Sequence, residues 1–124
     1  LAPAPFQSVN AEWGAVVVEG KPAARRPGDR IKAFVKQSVQ MELINTGPAM
    51  WDGSPQKNLQ SVWVKASHPL RDPQYIQVLR TGFGKSCRIN WTPSDSGLWT
   101  LRPWLWDTGG FGEPLEVEAH NRRE

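Results

Sequence analysis

Few residues in this chain have side chains suited to catalysis, and their spacing works against it. The histidines are His68 and His120, and the sole cysteine is Cys87. A zinc or copper site gathers about three or four nitrogen and sulfur ligands, so neither a transition metal nor any other cofactor is expected. Asp52-Gly53 and Asp107-Thr108-Gly109-Gly110 offer calcium one carboxylate each where about six to eight oxygens are required, and they read as turns. Ser67-His68 sets a hydroxyl beside an imidazole in sequence, but a nucleophile needs its base across space, and Pro69 favours a loop there. Glu116 and Glu118 share a strand face and read as solvated acids rather than the paired carboxylates of sugar hydrolysis. Thr81-Gly82-Phe83-Gly84-Lys85 lacks both the spacing and the following helix of a phosphate loop. The expectation is that the chain is not an enzyme.

The unusual resource is seven tryptophans against one tyrosine. Trp91 and Trp99 alternate with small or aliphatic residues and read as core. Trp51 follows a turn and reads as a plug for the end of the fold. Trp63, with Ser61 and Lys65, faces away from Val62, Val64 and Ala66. Trp104 and Trp106 share a face with Thr100 and Arg102 if their strand is regular. Indoles grouped on an outward face need an explanation, because monomers rarely leave large apolar patches uncovered. Covering loops, a sugar ring or a protein partner would each provide one. The candidate binding residues are Trp63, Arg102, Trp104 and Trp106, with Phe111 as a secondary candidate at the following turn.

The elements that must carry these residues have a period of two almost throughout. Trp13 to Val18 is apolar enough for a buried strand. In Ser38-Val39-Gln40-Met41-Glu42-Leu43, Val39, Met41 and Leu43 turn inward and their neighbours outward. Leu59 to Ala66, Tyr75 to Leu79, Ser86 to Trp91, Leu98 to Trp106 and Leu115 to Ala119 continue the pattern, separated by Gly, Pro, Asn and Asp turns. Pro103 inside the richest run predicts an edge strand or a bulge. No stretch shows a helical stripe. The chain has 124 residues, with 39% hydrophobic and 22% charged residues and 11 each of Gly and Pro. That is one ordinary globular domain rich in turns, read as an antiparallel β-sandwich.

Net charge excludes other classes. The formal charge is +3, with tight basic pairs only at Arg25-Arg26 and Arg122-Arg123, which is too diffuse for nucleic-acid binding. No window is apolar enough for a membrane span. A lone Cys87 forms no internal disulfide and reads as a buried small hydrophobe, and the compartment stays open. Residues 1–12 read as a linker or terminal segment stiffened by Pro3 and Pro5, 13–120 as a single domain, and 121–124 as a tail.

Three stretches suggest a family. Pro27-Gly28-Asp29 leads into a strand ending in Asn45-Thr46-Gly47, with Trp51 just beyond. Pro93-Ser94-Asp95-Ser96-Gly97-Leu98-Trp99-Thr100 follows, and then Trp104 ahead of Gly110-Phe111-Gly112. Across residues 25–119 this pattern resembles the four-tryptophan domain, the immunoglobulin-like module of selective-autophagy cargo receptors and assorted bacterial proteins. It departs from the family at Met41, where a tryptophan is usual, and at Trp104, one residue out of register behind Pro103. Gly47 and Gly112 suit turns with positive φ. The resemblance implies an all-β, immunoglobulin-like antiparallel sandwich of roughly seven or eight strands.

The functional expectation is a non-catalytic interaction module of a larger protein. It recruits a protein partner or docks a neighbouring domain through an aromatic surface patch. The alternative is a carbohydrate-binding or accessory immunoglobulin-like domain of a secreted bacterial enzyme, with a polysaccharide as ligand. A third possibility is a structural spacer. Coplanar, evenly spaced indoles would mark the sugar binder, rings centred in an apolar patch with a polar rim the protein docker, and seven buried tryptophans the spacer.

Overall fold

Alternation becomes strand wherever it is strict. In β4 (Val39–Asn45), Val39, Met41 and Leu43 are buried while Gln40 and Glu42 are half-exposed. In β7 (Ser86–Trp91), Cys87, Ile89 and Trp91 are buried and Ser86, Arg88 and Asn90 exposed. The computed structural model describes residues 10–23, 30–47, 51, 61–106 and 109–121. Pro27-Gly28-Asp29, both basic pairs, Asp52-Gly53, Asp107-Thr108 and the start of the Leu59 run lie outside the described residues.

The other strands are β1 (Ala11–Val18), β2 (Lys21–Ala23), β3 (Ile31–Phe34), β5 (Val62–His68), β6 (Arg71–Gln77), β8 (Gly97–Leu105), β9 (Gly109–Gly110) and β10 (Leu115–His120). The chain is all-β, and ten strands among the described residues exceed the seven or eight expected. The excess consists of short pieces, β2 and β9, of 3 and 2 residues. No helix among the described residues is long and apolar enough to cross a membrane.

The strands form two sheets, β2-β1-β4-β7 and β3-β10-β8-β5-β6, with β9 also pairing with β8. Pairing is antiparallel except where β3 lies parallel to β10, Val117 opposite Ile31. That pair corrects the wholly antiparallel expectation. Both sheets contribute to one core, in which Val39, Met41, Leu43 and Ile89 of the first join Val64, Leu101, Leu115 and Val117 of the second. Each fully buried aliphatic or aromatic side chain contributes about 1.5–3 kcal/mol. Trp99 and Trp91 meet edge to face inside, at 5.3 Å and 70°.

Pro103 does not mark an edge. Strand β8 is interior, with β5 on one side and β10 and β9 on the other. Pairing with β10 stops at Leu101 and pairing with β9 begins at Trp104. The amide and carbonyl of a strand residue point to the same side, and the Pro103 carbonyl accepts from Phe111 N–H at 3.0 Å. The missing N–H therefore falls in the gap between β10 and β9, where a proline removes no ladder bond.

The Asn-Thr-Gly turn closes one end. Asn45 is fully buried. It donates through Nδ2 to Thr81 O at 2.9 Å and accepts Gly47 N–H on Oδ1 at 3.1 Å. Thr81 in turn bridges Trp51, whose amide donates to Thr81 O at 2.9 Å. Trp51 is fully buried, as a plug should be. Gly112 has the positive φ expected, 69°, and the turn at Gly47 is held by the Asn45 side chain.

Candidate binding surface

Successive residues of a strand point to opposite faces. While Val62, Val64 and Ala66 enter the core, Trp63, Lys65 and Ser67 of β5 face outward. The register sets Trp63 opposite Trp104, Lys65 opposite Arg102 and Ser67 opposite Thr100 on β8. On the other flank β6 sets Gln77 opposite Trp63 and Tyr75 opposite Lys65. Three strands thus build one outward surface from Trp63, Lys65, Tyr75, Arg102 and Trp104. Trp106 follows directly after β8, its amide donating to Ser61 O at 3.0 Å.

On this surface Trp63 is outward yet only 7% exposed. Trp106 leans against it with centroids 6.2 Å apart and planes inclined at 57°. Trp106 also meets Tyr75 edge to face, at 5.2 Å and 71°. Trp63 Nε1–H donates to Ser61 Oγ at 2.6 Å, satisfying the polar atom that burial would otherwise penalise. Trp104, Trp106 and Tyr75 remain half-buried. Lys65 Nζ stands 4.1 Å from the Trp104 ring centroid and 6.0 Å from that of Tyr75, within cation–π range. Arg102 is exposed and lies over Gly110, where an added Cβ would fall 2.7 Å from its Nε.

Four of the five candidate residues therefore converge: Trp63, Arg102, Trp104 and Trp106. Phe111 does not join them. It packs on the core and meets Trp51 edge to face at 6.1 Å and 64°, so it belongs to the end plug. Tyr75 is the member that sequence reasoning missed. Its alternating run was visible, but only the β5–β6 register brings it to Lys65 and Trp106.

The structure also places the residues singled out for chemistry. Ser67 faces outward opposite Thr100, whereas His68 is buried against Trp99 with centroids 4.6 Å apart. The pair points to opposite sides of the sheet and forms no dyad. His68 closes β5 rather than sitting in a loop. Its Nδ1 accepts Leu70 N–H at 3.1 Å, and its Nε2 faces Ser96 O at 2.8 Å, which assigns the Nε2–H tautomer. Glu116 and Glu118 are not free acids; Arg30 reaches them at 3.2 and 3.7 Å. Burial pushes the Cys87 thiol above its ordinary value, against hydrogen bonds with Thr81 and Leu79 that lower it. Cys87 packs in the core beside Ile89 and Trp91, as its place in the alternation implied.

No family model, no curated protein and no solved structure matches this chain.

Proposed function

We propose that this domain is a non-catalytic interaction module of a larger protein, docking a protein partner on the face built by Trp63, Trp104, Trp106, Tyr75, Lys65 and Arg102. One observation carries the reading. Half-buried indoles and a phenol crowd together on an outward sheet face, over a fourth ring that they already seal. Tryptophan, tyrosine and arginine together are the residue types enriched at interface centres. The ring angle between the two half-exposed partners Trp106 and Tyr75 argues against a polysaccharide, since planes inclined at 71° do not lie coplanar beneath successive sugars. A spacer would have all seven indoles buried, and Trp104 and Trp106 are not.

The fold reading that goes with this is immunoglobulin-like. Its support is the interleaving of strands: β4 pairs with β7 in one sheet, β5 with β8 in the other, and β10 returns beside β8. Alternation between sheets of this kind is what a Greek-key sandwich calls for. The four-tryptophan resemblance gains support from the Asn45–Thr81–Trp51 plug, which gives the motif a physical role.

The test is selection from a random dodecapeptide library displayed on phage, panned on the domain and counter-selected on the W104A/W106A variant. Clones that need the two indoles are the expected result. Enrichment without dependence on them, or binding only to soluble polysaccharides run in parallel, overturns the reading.

A further inference from the structure

The charges on this face are arranged against the free domain's own interest. Lys65 and Arg102 occupy directly opposed positions on β5 and β8, where like charges repel. Among the described residues neither has a carboxylate partner. The acids nearest along the same face, Glu116 and Glu118 of β10, are engaged by Arg30, with His120 also reaching Glu118 at 3.1 Å. Lys65 is held over the Trp104 ring instead. Arg102 is laid along the surface because Gly110 has no side chain to displace it. Two positive charges thus oppose each other across the strands, one over the Trp104 ring and one beside Gly110, with no carboxylate among the described residues to neutralise them.

Resting on the docking reading above, we infer that the partner presents an acidic peptide segment. Its carboxylates bond Lys65 and Arg102, and a neighbouring apolar side chain packs between Trp104 and Trp106. Arg102 offers the planar fork that takes a carboxylate through two parallel bonds. Lys65 offers a point charge already partly stripped of water by the rings beside it. A nucleic acid fits worse: a phosphate chain calls for a row of cations, and base stacking for open ring faces along a strand path. Here there are two cations, and Trp106 and Tyr75 stand edge to face.

The experiment examines the phage clones that depend on Trp104 and Trp106, made as synthetic peptides and titrated by fluorescence anisotropy. The expected result is enrichment in Asp and Glu, affinity falling with added salt, and binding about tenfold weaker to K65Q/R102Q. G110A, which crowds Arg102 without straining the backbone, weakens binding in the same direction. K32Q, at the far edge of the same sheet face, leaves it unchanged and controls for net charge. Indole-dependent clones that are neutral or basic, or acidic clones that bind K65Q/R102Q undiminished, overturn the acidic partner while leaving the docking face intact. Binding of heparin or single-stranded DNA through Lys65 and Arg102, with no acidic clone recovered, overturns it in favour of a phosphate or sulfate polymer. A library with no indole-dependent clone removes the docking reading and this inference together.

Discussion

Two pairs of tryptophans in this domain have similar ring geometry and different surroundings. Trp91 and Trp99 meet at 5.3 Å and 70° between the sheets, with His68 closing over Trp99. Trp63 and Trp106 meet at 6.2 Å and 57° on the outward face of the second sheet. The inner pair is sealed by residues from both sheets. In the outer pair, Trp106 covers Trp63 and itself remains half-exposed beside Tyr75. The difference is a matter of strand parity. An even step along β5 or β8 keeps a ring in the core, and an odd step delivers it to a surface where its contact energy is available to a partner. Burial alone would have grouped Trp63 with Trp99; sheet side separates them.

That contrast can be broken by mutation, beginning inside. W99A removes a fully buried indole and is expected to cost about 3–5 kcal/mol in urea unfolding; a cost near that of an outer-face change would erase the distinction. H68A strips the Trp99 cover and leaves Ser96 O and Leu70 N–H without their partner, for an expected loss of about 1–3 kcal/mol by the same measurement. On the outer face, W106A should cost only about 1–2 kcal/mol while opening Trp63 to acrylamide quenching of its fluorescence. If W106A unfolds the domain instead, the outer cluster is a second core rather than a docking face. The smallest stability effect belongs to K65E. A new Glu–Arg102 cross-strand pair offsets the lost cation–π contact, each worth roughly 0.2–1 kcal/mol. Melting should therefore hardly move while binding of acidic clones collapses, which separates recognition from folding at a single position.

Much of this was legible from alternation. The runs at Val39–Leu43 and Ser86–Trp91 became strands with the expected faces, and Trp91, Trp99 and Trp51 are buried as their patterns implied. What the chain could not display locally was pairing. Strand β3 is four residues long and earns its place through its parallel ladder with β10. Strand β6 starts at Arg71 and carries Pro73 on an exposed edge, so its first half shows no apolar rhythm. Tyr75 enters the aromatic cluster only through the register with Lys65. Phe111 is a secondary candidate from its place at the turn, yet it packs on the core against Trp51.

The parallel pairing of β3 with β10 also has a consequence in time. The Arg30–Glu116 bond that accompanies it joins residues 86 apart in sequence, and Trp13 Nε1–H reaches Glu113 O across 100. Both bonds therefore wait for β10 or for the segment that leads into it. During synthesis the early strands can collapse on one another, but β3 has no neighbour until β10 has left the ribosome. Closing such long loops before any reward arrives places this domain among slow, millisecond-to-second folders. In the interval, the surface holding Trp104 and Trp106 is already made while the edge that completes its sheet is still missing.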